Sequence, residues 1–468
     1  MKAVMTFLII SVMIFCLSSQ GNAEGTGFTK TDVTGRIHIV RDSDGGESQL
    51  VIESEKGLVV FDSFWSEIAA RRYREGIARV LGRDDFIYLI DAIDRLDLFG
   101  GNAAYGDVTI VGHESFIDKY RGREKEVDAE ISELVKMWRW KEEVSHERIP
   151  EHEPGSEEEK NEKRWAENCR QRAEELENGF SLVLPDKVYS DRMTLDLGDI
   201  TLELIWFGRA GHDGMSVAVV PEEKIAILPS FIMHPHHLAP YPMHEFATLD
   251  VPRWIEIFEE ILEGEDAVEK VICGINTVYT PEKARAHLTY IRRLWESVRA
   301  ADAEGLDLPQ IHRRLSLDGE FSFVKDMGVY IDGGDEWTRP QHYDHTRLFF
   351  LQGRNLASEI IRRGEYGSAR AAIEDIRRQM GSGVDIYIEE AEINRMGYGL
   401  INASRYADAI ELLGFNAETF PRSANAWDSL AEAYMKSGDT EKAVTNYRKS
   451  LELNPDNENA KEMLKQLE

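Results

Sequence analysis

The chain has 468 residues, of which 55 are Lys or Arg and 85 Asp or Glu, for a formal charge of −30 at neutral pH. A field of that sign repels polyanions and anionic lipid surfaces, which argues against nucleic acid and acidic membrane faces as partners. Hydrophobic residues make up 42% of it, enough to bury at least one large core.

Met1-Lys2, the apolar run Phe7 to Leu17 and then Gly21-Asn22-Ala23 read as a secretory leader cut after Ala23. The run is too short to span a bilayer. Ile14 and Phe15 precede Cys16, where a lipid-anchoring signal wants small residues. The expectation is an exported protein, periplasmic or extracellular, with no stable membrane anchor.

Gln49 to Asp62 reads as a hairpin, Trp65 to Leu81 as a helix, and Phe86 to Ile90 and Val108 to Val111 as strands. A charged stretch over 114–179 follows. Val127, Ile131, Leu134, Val135 and Trp138 fall at helical spacing there, His146 to Lys163 reads as an exposed loop, and Trp165 to Leu176 as a second helix. This insertion reads equally as a lid over a cleft or as surface decoration. Ile200 to Trp206 is a strand leading into Gly211-His212-Asp213-Gly214, and Met215 to Val220 with Lys224 to Leu228 is the next hairpin. Pro229-Ser230 and a Pro-rich loop come next, and that loop holds His234, His236, His237 and His244, four of the 13 histidines. Cys169 and Cys273 remain after leader removal, and their spacing does not decide whether they pair. Helices are expected over Pro281 to Ala301 and Leu308 to Leu315, then an irregular connector from Gly319 to Tyr343.

The segment Asp91-Ala92-Ile93-Asp94-Arg95-Leu96-Asp97-Leu98-Phe99-Gly100-Gly101 resembles the metal-binding turn of the metallo-β-lactamase superfamily, His-x-His-x-Asp-His, two residues and Gly-Gly. Anchored on Gly100-Gly101, the three histidine positions fall on Ala92, Asp94 and Asp97, and the aspartate position on Leu96. His212 matches the family's next ligand turn. Pro229-Ser230 stands where a bridging Gly-Asp is expected, and Gly274-Ile275-Asn276 where the last histidine turn is expected. The resemblance implies an α/β fold, a metallo-β-lactamase-like αββα sandwich over 30–325.

Ala92, Leu96 and Ile275 offer no donor, and a catalytic zinc needs at least three. Asp94, Asp97 and His212 are the surviving candidates, and His234 and His236 are a weaker, relocated set. They imply either one divalent cation (zinc, iron or manganese) or none. Leucine at position 96 cannot bind a second metal or activate water.

From about Thr346 the chain is helical and repetitive. Trp427, Leu430, Ala431, Tyr434, Gly438, Ala443, Tyr447 and Pro455 resemble the tetratricopeptide pattern over 424–457. The same pattern recurs over 390–423 through Ile393, Met396, Gly397, Leu400, Ala409, Leu413 and Pro421. A looser unit covers 350–383. An all-α tetratricopeptide-repeat helical solenoid over 346–468 is expected, and it implies a peptide or protein partner in its groove. Two functions follow: a non-catalytic binding or scaffold protein with a degenerate metal site, or a hydrolase of an ester, amide, sulfate or lactone bond using one cation.

Overall fold

The computed structural model describes residues 27–42, 47–208, 213–228, 250–273, 277–327, 335–362 and 368–467. The chain divides into two compact units between Phe350 and Leu351.

The first unit is built on two sheets. One runs in the order β1 (Phe28–Asp32), β2 (Ile37–Asp42), β3 (Ser48–Glu53), β4 (Leu58–Phe61), β5 (Phe86–Asp91), β6 (Thr109–His113), β7 (Lys187–Tyr189). Its first four strands are antiparallel, and β4 to β7 pair parallel. Helix α1 (Glu67–Leu81) makes the β4–β5 crossover. The other sheet contains β8 (Arg192–Asp196), β9 (Thr201–Trp206), β10 (Ser216–Val220), β11 (Ile225–Ile227), β12 (Lys270–Cys273) and β13 (Thr277–Tyr279).

Alternation along the strands decides what packs where. Leu50 and Ile52 of β3 face Leu202, Leu204, Val220 and Ile272 of the second sheet, closing one core between the sheets. Val51 points the other way, into a core with Ala69, Tyr73 and Ile77 of α1. Because both faces are covered, the run Leu50-Val51-Ile52 of β3 and the whole of β4 are apolar. Helix α1 starts where Ser66 accepts from the Ala69 amide and stops at the left-handed Gly82.

The insertion forms α3 (Ser115–Tyr120), α4 (Glu124–Arg148) and α5 (Glu157–Gly179), following the short α2 (Leu96–Phe99). The loop expected over His146–Lys163 is largely helical. Helix α4 continues through Arg148, and Ser156 caps α5, leaving only a short connection. Glu-rich sequence suits a helix once a cap begins it. Trp138, Trp165 and Cys169 pack the α4–α5 hairpin into the α1 core. Cys169 and Cys273 are both buried free thiols. Helix α6 (Val251–Glu263) buries Trp254, Ile257, Phe258 and Ile261, and α7 (Pro281–Ala303) and α8 (Leu308–Arg314) follow. The expected irregular connector is instead partly regular, since α9 (Asp335–Leu351) begins well before Thr346 with Pro340 inside it.

The second unit holds α10 (Ala357–Arg362), α11 (Ala369–Gly381), α12 (Glu390–Asn402), α13 (Tyr406–Thr419), α14 (Ala424–Ser437), α15 (Thr440–Leu453) and α16 (Glu458–Leu467). Small residues let the paired helices approach. A Cβ on Gly397 would land on the Leu413 side chain, and Ala431 and Ala443 are fully buried. The phenol of Tyr398 donates to Glu432 at 3.0 Å across 34 residues, one repeat period.

Candidate functional site

The turn after β5 is held from below by a buried polar network. Asp91 is fully buried, and one of its oxygens accepts from Asn102 Nδ2 at 2.7 Å. Asn102 also accepts from the Ser63 hydroxyl at 2.6 Å and donates to the Val183 carbonyl at 3.0 Å. Burial, above all, pushes the Asp91 carboxyl well above the usual range. Asp62 adopts a left-handed φ of 54°, and Phe64 one of 67°. This unusual backbone lets Asp62 Oδ1 accept from the Ala92 amide at 2.9 Å. Burial raises the Asp62 pKa to about 7, with Asp97 adding to it and the Ala92 hydrogen bond opposing it.

Gly100 and Gly101 are required by close packing. A Cβ on Gly100 would sit 2.6 Å from the Leu96 carbonyl oxygen. One on Gly101 would overlap the Ser63 carbonyl and lie 2.7 Å from that of Ser66. The turn therefore needs this pair for architecture, whatever its chemistry.

Each carboxylate of the turn is answered by a basic side chain. The Asp94 side chain is 0% exposed, with the Lys119 ammonium 3.5 Å from Oδ2. Lys119 also donates to the Asp94 carbonyl at 2.9 Å, and Tyr120 donates to the same oxygen at 2.8 Å. Arg95 grips Asp97 with two nitrogens, at 2.9 and 2.6 Å. Leu96 is buried among Phe99, Phe116, Tyr120 and Val127. Gly214 lies against this wall, since a Cβ there would meet Asp94 Cβ at 2.9 Å and Ser115 Oγ at 2.7 Å. Nearby, His113 lies parallel to Trp206 at 5.1 Å between centroids. Its Nε2 is 3.0 Å from the Ser190 carbonyl and its Nδ1 accepts from the Ser115 amide.

The structure thus brings Asp94 and Asp97 into one turn, each facing a basic side chain. His212, Ser230, His234, His236 and Ile275 lie outside the described residues. Among the described residues, no three His, Cys, Asp or Glu side chains gather as a metal-binding group. The described donor set does not fit a two-metal centre, because Leu96 is packed in a core and Asp97 is committed to Arg95. Lys119, Arg95, Asp91 and Asn102 carry the local chemistry without having been singled out as site residues. Asn102 follows directly on the Gly-Gly pair. Lys119 has no local signal, since it reaches Asp94 across 25 residues.

Comparison with known proteins places two kinds of likeness on the chain. The tetratricopeptide repeat family model matches residues 424–457. Among solved structures, a stereoselective inverting sec-alkylsulfatase from Pseudomonas sp. aligns at 14% identity and a TM-score of 0.45, over 88% of this chain and 62% of its own. This chain thus spans less than two thirds of that enzyme. A metallo-β-lactamase from Pontibacter korlensis aligns at 14% identity and a TM-score of 0.37, over 57% of this chain and 99% of its own. One from Hirschia baltica aligns at 10% identity and 0.36, over 56% and 97%. No curated protein sequence matches. The mixed α/β unit therefore has metallo-β-lactamases among its structural neighbours, and a run of consecutive helices carrying a tetratricopeptide repeat follows it.

Proposed function

We propose that this is an exported scaffold protein that binds a peptide or protein partner through its repeat unit and does not hydrolyse substrates through a binuclear metal centre. The carrying observation is the turn itself: Asp97 is gripped by Arg95 and Leu96 is buried in a core. A carboxylate held in a two-point guanidinium pair already has its charge answered and one contact on each oxygen, and a leucine offers no donor at all. The leader-like residues 1–23 support export, and no described helix is long and apolar enough to cross a membrane. The repeat match over 424–457 supports a binding role.

Elemental analysis of the mature, untagged protein tests the first unit. The expected content is well below one transition-metal ion per chain. About one ion per chain, lost in His212→Ala, would overturn the reading in favour of a one-cation hydrolase of an ester, amide, sulfate or lactone bond. A peptide array tests the repeats, comparing the full chain with Glu432→Lys, which reverses a charge beside Tyr398. Peptides captured by the first and lost by the second support the reading, and identical profiles count against it.

A further inference from the structure

The observation that carries furthest is how the Asp94 carboxylate is compensated. A fully buried carboxylate needs an opposite charge or a dense set of hydrogen bonds, because its desolvation cost is large. Helix α3 supplies the charge. The Lys119 ammonium lies 3.5 Å from Asp94 Oδ2 and 2.9 Å from its carbonyl oxygen, over the Tyr120 ring at 5.0 Å. A cation at that point therefore has two oxygens of one residue within reach. Ser115 Oγ, buried and without a hydrogen-bond partner, lies on the same wall. The Lys119 side chain is 35% exposed, against 0% for Asp94.

We propose that Lys119 is a built-in counter-ion that takes the place of a divalent cation on Asp94, with Arg95 doing the same for Asp97. The inference rests on the reading of the first unit given above. It assigns to Lys119 the role of keeping metal out. Without the ammonium, the Asp94 carboxylate and carbonyl remain at that point, with the Ser115 hydroxyl on the same wall. That is an oxygen set suited to hard ions such as Mn2+ or Mg2+.

The test titrates MnCl2 into the full chain by calorimetry, comparing wild type, Lys119→Met and Lys119→Arg. Lys119→Met is expected to bind Mn2+ at least about tenfold more tightly than wild type, about 1.4 kcal/mol. Lys119→Arg, which keeps the charge, is expected to match wild type. Adding Asp94→Asn to Lys119→Met is expected to abolish the gain. A folded Lys119→Met with no tighter binding overturns the proposal, as does a gain that survives Asp94→Asn. Should Lys119→Met fail to fold, Lys119→Gln, which keeps a donor for the Asp94 carbonyl, is read in its place by the same criteria. Stoichiometric metal in the purified wild type would sink the functional reading. A missing gain in the variant sinks only this inference.

Discussion

Asp62 shows how one residue ties backbone geometry to pH. Its left-handed backbone aims the carboxyl at the Ala92 amide, and burial raises its pKa to about 7. An unfolded aspartate titrates near 3.9, so between about pH 4 and 7 the native state binds more protons than the unfolded one. The stability this provides is complete below pH 4 and is lost as pH rises toward 7. Asp91 is shifted in the same direction. Asp62→Asn keeps an acceptor for Ala92 and tolerates the left-handed conformation. It is expected to flatten the fall in urea midpoint over that window by an amount on the order of 2 kcal/mol. Parallel midpoint curves for the two proteins would count against this. Gly101→Ala tests the packing of the same turn. Its Cβ would meet the Ser63 and Ser66 carbonyls and Ala70 Cβ, and backbone cannot yield as a side chain tip can. A loss of about 2–3 kcal/mol is expected by chemical denaturation.

Among the elements, the repeat helices give a paired comparison on one helix. Gly397 and Gly399 both belong to α12, yet a Cβ on the first would land on Leu413 and one on the second would meet nothing within 4 Å. Gly397→Leu is expected to destabilise by about 1–3 kcal/mol through overpacking. Gly399→Ala is expected to stabilise by up to about 1 kcal/mol through helix propensity. Thermal melts read both, and shifts of the same sign would show that the contact with Leu413 does not matter. Gly438 serves the backbone instead, ending α14 in the left-handed region at φ 88° with its amide bonded back to Met435. The α4–α5 hairpin buries Trp138 and Trp165, 6.1 Å apart, together with Cys169, Ala173 and Leu176. That apolar stripe gives so polar a segment a core to fold against.

For the molecule as a whole, the charge of −30 is the dominant long-range term. Self-repulsion of that size is expected to outweigh the isolated surface ion pairs, each worth about 0–1 kcal/mol. Raising NaCl from about 50 to 500 mM shortens the screening length several-fold and is expected to raise the melting temperature. A fall would mean that networks such as Arg170 with Glu167 and Glu174 contribute more than the net field removes.

Residue order, through apolar runs, periodicity and family resemblance together, was enough to determine the strands of the β3–β4 hairpin, β5, β9 and β10, helix α7, and the 34-residue register from Ile393 to Tyr447. These signals are local, and burial on both faces or on one stripe writes them directly into residue order. That Gly100 and Gly101 stand side by side, and that Ala92 and Leu96 carry no donor, was equally legible, because a side chain's own chemistry is read without knowing its partner. Only the tertiary structure decided that Asp94 faces Lys119, that Asn102 joins Asp91 to Ser63 and Val183, and that the 146–163 stretch is largely helical. The first two depend on groups brought together across tens of residues, and the third on the Ser156 cap and on the packing of the two insertion helices. No short-range pattern encodes the distance between a carboxylate and an ammonium carried on a different element.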